Sequence, residues 1–222
     1  VLSDRYADIS CMTAFDLSGK VLWQIGEPCP DSWHTDLTAD LPFQITDING
    51  DGKNEVVTVM DFRLRILEGA TGRELASIPV PISDSPLETP YGQYAFDRVN
   101  IDAVRICNFS GNPVGTDILI KDRYSRLWAY NNKLELLWHY HDGITGHFPY
   151  TADLNGDGKD EMFVGYNMVD SNGKKLWALP AKDHTDEIII GKLIPDSDKD
   201  YIGIVSGEEG FMILDFDGNV LV

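Results

Sequence analysis

The sequence predicts an all-β fold built from repeated four-stranded antiparallel units, and three observations lead there. A short hairpin pattern occurs five times, a loop of alternating oxygen side chains occurs twice without a gap, and no helical periodicity persists over a useful length. The hairpins are AFDLSGKVLW (14–23), ILEGATGREL (66–75), AYNNKLELLW (129–138), MVDSNGKKLW (168–177) and ILDFDGNVLV (213–222). Each reads as an apolar stretch, a turn rich in Asp, Asn and Gly, and a second short strand. Internal repeats of this length, with four short strands each, are the mark of β-propeller blades.

Taken in order, one unit reads strand A, an Asp/Asn/Gly loop, strand B, a short polar loop, strand C, a turn and strand D. Residues 1–27 supply a partial unit: LSDRYAD (2–8) as the B–C loop, then the C–D hairpin. Complete units are expected at 43–78, 100–140, 148–179 and 186–222. The B–C loop of the third unit, IKDRYSR (120–126), repeats the Asp-Arg-Tyr of the first, and VMDFRLR (59–65) is a weaker copy. Five C–D hairpins stand against four A strands. The chain is therefore expected to carry about four and a half blades of a larger propeller, as a single domain over 1–222. Its uncovered first-blade edge would invite self-association.

Composition narrows the partners. The formal net charge is −18, which argues against nucleic acid, whose phosphates need a basic footprint. No apolar run is long enough to span a bilayer. The first residue is Val1 rather than Met, so a trimmed start is expected. Cys11, Cys29 and Cys107 have no metal-binding spacing and read as inert thiols.

The gapless pair of loops, ITDINGDGKNEVVTV (45–59) and TADLNGDGKDEMFVG (151–165), has the chemistry of a calcium site. Ca²⁺ takes six to eight oxygen ligands in flexible geometry. Asp47, Asn49 and Asp51 offer side-chain oxygens, Lys53 its carbonyl, and Glu55 a closing carboxylate; Asp153, Asn155, Asp157, Lys159 and Glu161 repeat the set. Gly52 and Gly158 allow the sharp bend. An EF-hand would place its closing Glu at loop position twelve and flank the loop with helices, so this is a different loop. The equivalent segments NFSGNPVGTD (108–117) and LIPDSDKDY (193–201) lack the full set, and no tight ion is expected there.

The Asp-x-Asn-Gly-Asp-Gly-x-x-Glu loop between two strands resembles the FG-GAP and VCBS-type calcium propeller repeats. The run GHFPYTADLNGDGKDEMFVGYNMVDSNGKKLW (146–177) is most similar to blades of rhamnogalacturonan lyases. That resemblance implies a secreted bacterial setting (extracellular, periplasmic or at the cell surface), calcium, and an acidic polysaccharide as partner. It leaves open whether the chain binds glycan, cleaves it by β-elimination, or serves as an adhesion scaffold, because similar repeats occur in non-catalytic proteins.

In an up-and-down blade the A–B and C–D connections share one end, and the B–C and D–A connections share the other. The ion loops thus fall with the hairpin turns, where they hold the inner strands. The opposite end collects the residues suited to recognition. His34, His139, His141, His147 and His184 lie in or beside D–A segments, with Tyr91, Tyr94 and Tyr150. The B–C loops add Arg5, Tyr6, Arg63, Lys121, Arg123, Tyr124 and Arg126. Asp4, Asp61 and Asp122 are expected to bond loop backbone, and Trp23, Trp138 and Trp177, at strand D ends, to serve blade packing. Arginine suits carboxylates and aromatic rings suit sugar faces. For a lyase, His147 or His184 would act as base, Tyr150 as acid and Arg123 as the neutraliser of a uronate. Arg123, Tyr124, His147 and His184 are expected in one groove.

Overall fold

The computed structural model describes residues 9, 11–28, 42–84, 87–89, 92–94, 97–180 and 182–222; for 87–89 and 92–94 it describes the backbone alone. The fold is all-β, made of antiparallel sheets of the propeller-blade kind, with no helix among the described residues. The chain divides into two compact units, Val1–Val104 and Arg105–Val222. Expectations for Asp4, Arg5, Tyr6, Cys29, His34 and Tyr91, and for the side chain of Tyr94, fall outside the described residues.

In the first unit, β1 (Cys11–Phe15) pairs with β2 (Val21–Gly26). A four-stranded meander follows: β3 (Phe43–Thr46), β4 (Glu55–Met60), β5 (Arg63–Glu68) and β6 (Glu74–Pro79). Every residue of β4 is buried, as its run of Val and Met requires for a strand covered on both faces. Trp23 joins the two sheets, packing with Val56 and Leu67. A short hairpin, β7 (Leu87–Thr89) with β8 (Gly92–Tyr94), interrupts what read as plain D–A connection.

The second unit holds two four-stranded sheets in meander order. One is β9 (Ile101–Cys107, which begins in the first unit), β10 (Asp117–Asp122), β11 (Arg126–Tyr130) and β12 (Leu136–His141). The other is β13 (Tyr150–Ala152), β14 (Glu161–Val164), β15 (Asn167–Val169) and β16 (Lys175–Ala178). The last sheet has three strands, β17 (Thr185–Gly191), β18 (Tyr201–Ser206) and β19 (Gly210–Leu214). Here the expected fourth strand is reduced to one bridge, Leu214 to Val220. The Asp215–Asn219 turn forms, with Asp215 N donating to Asn219 O at 3.1 Å. Only Ile213, however, shares backbone bonds with Leu221 and Val222, which is too few to make a ladder.

Neighbouring sheets of this unit pack face to face. Leu119, Leu127 and Ala129 meet Met162, Val164 and Val169; Phe163 and Met168 meet Ile188, Ile202, Ile204 and Leu214. A repeated tryptophan device locks adjacent sheets within each unit. Trp23, Trp138 and Trp177 donate through Nε1 to the carbonyls of Gly69, Ser171 and Phe216, at 2.8, 3.0 and 2.9 Å, each in the hairpin turn of the next sheet. The indole lies against that turn's glycine. A Cβ on Gly173 would sit 2.7 Å from the Trp138 ring, at φ +79°. Gly173→Ala therefore meets both a clash and a left-handed backbone, and is expected to destabilise by roughly 2–4 kcal/mol. Urea denaturation checks this; a shift under about 0.5 kcal/mol, the scale of a neutral surface change, contradicts it.

Candidate functional site

The two oxygen-rich loops fold almost bond for bond alike. Asp47 accepts from the backbone N–H of Gly50 (2.8 Å), Asp51 (3.0 Å) and Gly52 (2.8 Å). Asp153 accepts from Gly156 (2.7 Å), Asp157 (3.1 Å) and Gly158 (2.9 Å). Asn49 and Asn155 accept from the N–H two residues on, as do Asp51 and Asp157. Glu55 accepts from Ile48 N at 3.2 Å and Glu161 from Leu154 N at 3.0 Å, closing each loop. In the second loop Asn155 Nδ2 also donates to Glu161 at 2.8 Å and to Asp157 at 3.4 Å. Gly52 and Gly158 stand at φ +83° and +85°, which a side chain would resist.

Glu55 and Glu161 are buried, at 2% and 4% exposure. Burial pushes both carboxyls above the usual range, and the charges of Asp51 and Asp47, or of Asp157 and Asp153, add to it. A buried carboxylate ringed by two more is the situation a bound dication relieves, so the residues fit Ca²⁺. In the equivalent loop of β9–β10, Ser110 occupies both oxygens of the buried Asp117 through its N–H (2.6 Å) and hydroxyl (3.0 Å). Asn108 Nδ2 donates across to Gly158 O at 3.0 Å, and Asn108 N donates to the Asp160 carboxylate at 2.8 Å. The second oxygen-rich loop is thus clasped by the neighbouring sheet.

The residues expected in one groove do meet. The Tyr124 ring is 5.7 Å from His147 and 5.0 Å from His184, and the two imidazoles are 5.0 Å apart. Arg123 lies over Tyr124 at 5.5 Å and donates from Nε to its hydroxyl at 3.1 Å. Backbone bonds fix the meeting: Thr145 N to Tyr124 O at 2.8 Å and His147 N to Thr185 O at 3.0 Å. Phe148 extends the array, with Arg105 over its ring at 5.0 Å. All belong to the second unit, and β13 runs from this cluster to the Asp153 loop, so the two sites sit at opposite ends of the strands.

Two carboxylates complete the cluster. Asp183 Oδ1 stands 2.7 Å from His184 Nδ1, and Asp186 Oδ1 stands 3.4 Å from His184 Nε2. Donor atoms of His147, His184 and Asp186 all lie within 4.8 Å of one another, a spacing a metal ion can bridge. Bonding to the N–H groups of His184 and Glu208 holds the Asp183 carboxyl below its ordinary value against the opposing effect of burial. Both acids flank the histidine in Asp183-His184-Thr185-Asp186, and that adjacency is the sequence signal for them.

Other rim residues are used structurally. Asp122 caps Ser125 N (2.8 Å) and Arg126 N (2.7 Å) and pairs with Arg126 Nε at 2.6 Å, both side chains buried. Lys121 is fully buried and donates to the carbonyls of Asp122 and Arg123. Arg63 bonds Ser77, and Asp61 pairs with Arg65 at 2.6 Å rather than with loop backbone, because its loop is a two-residue turn with Asp61 and Phe62 at positive φ. His139 and His141 are exposed on β12. The Tyr150 ring packs against the apolar cluster of Phe163 and Met168.

No family model matches the chain. In sequence it is similar to the rhamnogalacturonan endolyase YesW of Bacillus subtilis, at 26% identity over 240 residues, and to the exolyase YesX of the same organism, at 25% over 237. Each alignment takes in 86% of this chain but 37% of the relative, so the chain corresponds to little more than a third of their length. Solved structures share the fold: rhamnogalacturonan lyase YesW (TM-score 0.70, 22% identity, all of this chain and 46% of that one) and the Bacillus licheniformis lyase PL11 (0.70, 21%, all and 46%). The Vibrio cholerae biofilm matrix protein Bap1 also aligns, at TM-score 0.60 and 21% identity over 91% of this chain and 30% of that one.

Proposed function

We propose that this chain is a calcium-stabilised part of a carbohydrate-active β-propeller that binds an acidic polysaccharide at the Arg123–Tyr124–His147–His184–Asp186 rim, in an extracellular, periplasmic or cell-surface setting. The observation that carries the reading is the convergence of those residues from three separate segments, two loops and the entry to β17, held by backbone bonds. Similarity to rhamnogalacturonan lyases supports the substrate class. Arg123 offers its guanidinium to a uronate carboxylate. Tyr124 offers a ring face and edge to the sugar. A divalent cation at His147, His184 and Asp186 would supply a second positive charge for the carboxylate. Calorimetric titration with oligogalacturonate and with neutral galactan tests this: binding of the acidic ligand that Arg123→Ala weakens by at least tenfold supports it, and equal binding of both glycans contradicts it.

The second reading is catalysis by β-elimination, favoured by similarity to both an endolyase and an exolyase. His147 or His184 would take the proton beside the carboxylate and Arg123 would neutralise the charge. An imidazole that ligates a cation has no lone pair left for a proton, so each histidine can do only one of these. Ultraviolet absorbance of an unsaturated product, with and without added dication, separates the roles. Tyr150, half-buried in the apolar cluster, is the weaker choice of acid.

Calcium at the Asp47–Glu55 and Asp153–Glu161 loops is proposed as a stabiliser of the calcium-propeller-repeat kind. A ligand at a hundred times its Kd adds about 2.7 kcal/mol per site. Melting with chelator should fall several degrees below melting with Ca²⁺, and Glu55→Gln with Glu161→Gln should remove most of the difference. Identical melting in both conditions would sink the proposal.

A further inference from the structure

We infer that Asp183 is a positioning residue that fixes His184 in its Nδ1–H tautomer and so presents Nε2 to the space shared with His147 and Asp186. The inference rests on the cation-binding reading of this rim but concerns a residue outside the ligand set. An ionised carboxylate can only accept, so the 2.7 Å contact between Asp183 Oδ1 and His184 Nδ1 requires the proton on Nδ1. A neutral imidazole carries one N–H, which leaves Nε2 as the lone-pair nitrogen. That nitrogen faces Asp186 Oδ1, itself acceptor-only, at 3.4 Å. Two acceptors so placed need a positive charge between them, either a proton on Nε2 or a bound cation; in the neutral, Nδ1–H form Nε2 keeps its lone pair for a cation, and the His147 nitrogen stands within the same 4.8 Å.

Asp183 is not free to swing away. Its Oδ1 also accepts from His184 N at 2.7 Å and its Oδ2 from Glu208 N at 3.1 Å, so two segments of backbone hold the carboxylate in place. A Cβ on Gly207 would stand 3.1 Å from Oδ2, which shows how closely the 206–209 loop approaches. The imidazole is thereby oriented from behind, as ligating histidines generally are by an outer carboxylate. A residue that merely capped the loop would leave the tautomer unaffected.

The test uses ¹⁵N-labelled, metal-free protein above the imidazole titration range, with long-range ¹H–¹⁵N NMR correlations reporting which ring nitrogen of His184 is protonated. Zn²⁺ titration calorimetry on the same samples reads affinity. Wild type should show His184 as the Nδ1–H form. Asp183→Ala should revert it toward the Nε2–H form that unconstrained imidazoles favour, and should weaken Zn²⁺ binding by about 10–100-fold. Asp183→Asn, which retains one acceptor oxygen, should fall between them. An Nε2–H form in wild type, which needs no variant to detect, overturns the inference. So does an Asp183→Ala protein with unchanged tautomer and affinity. A tautomer that reverts in Asp183→Ala while wild type binds no Zn²⁺ upholds the positioning role and overturns the cation reading instead.

Discussion

Asp122→Ala is expected to destabilise the protein by roughly 3–5 kcal/mol, because it removes a buried carboxylate that serves both the Arg126 guanidinium and the backbone of its own loop. The Asp122 and Arg126 side chains are only 1% and 5% exposed and lie 2.6 Å apart. The carboxylate also accepts from the N–H and hydroxyl of Ser125 and from the N–H of Arg126, so its loss takes an acceptor from four donors. The repeat supplies its own control. Asp61 occupies the corresponding place in the preceding blade, pairs with Arg65 at the same 2.6 Å, and is 61% exposed. Asp61→Ala should cost less than about 1 kcal/mol, as exposed pairs do. Urea midpoints with unchanged m-values measure both. Equal effects at the two positions would contradict the burial argument. The same loop carries Arg123 and Tyr124, so Asp122→Ala should weaken acidic-glycan binding even at temperatures where the protein remains folded.

Changing His147 and His184 together to alanine is expected to abolish dication binding at the rim and lower affinity for acidic oligosaccharide by well over tenfold. It removes two of the three donors that lie within 4.8 Å and both ring partners of Tyr124. Both rings are half-buried and neither belongs to an apolar core cluster, so melting in Ca²⁺ should move little. The pairing of lost binding with retained melting marks a functional site. Retained binding would remove both histidines from it, and a collapse of melting would make them structural.

Much of this was legible because repeats expose periodic physics. The twin loops announced their alternating oxygens, and the hairpins announced the sheets, since turn chemistry and strand length are local. The meeting of Arg123, Tyr124, His147 and His184 followed from topology alone: B–C and D–A connections share an end of the strands. What failed was burial of charge. Lys121, Arg126 and Arg63 read as a basic rim, yet Lys121 and Arg126 turn inward to loop carbonyls and to Asp122, and Arg63 bonds Ser77. A polar loop does not declare which of its long side chains folds back under it. Tyr150, at the start of an inner strand, packs its ring against the core cluster, which its place beside a D–A connection does not announce. Asp183 and Asp186 carry no local mark of their role beyond nearness to His184, because a carboxylate that faces an imidazole and one that faces solvent look alike in a polar loop. The missing fourth strand of the last sheet reflects a turn that forms without enough backbone pairs beyond it to make a ladder.

An acidic sugar received at the B–C and D–A rim, away from the oxygen-rich loops, is to be seen in a heteronuclear NMR titration of the protein, in Ca²⁺, with oligogalacturonate. Shift changes are expected to concentrate at Arg123, Tyr124, His147, His184 and Asp186, with Asp47–Glu55 and Asp153–Glu161 unmoved. Changes confined to the ion loops, or none at saturating ligand, would contradict it.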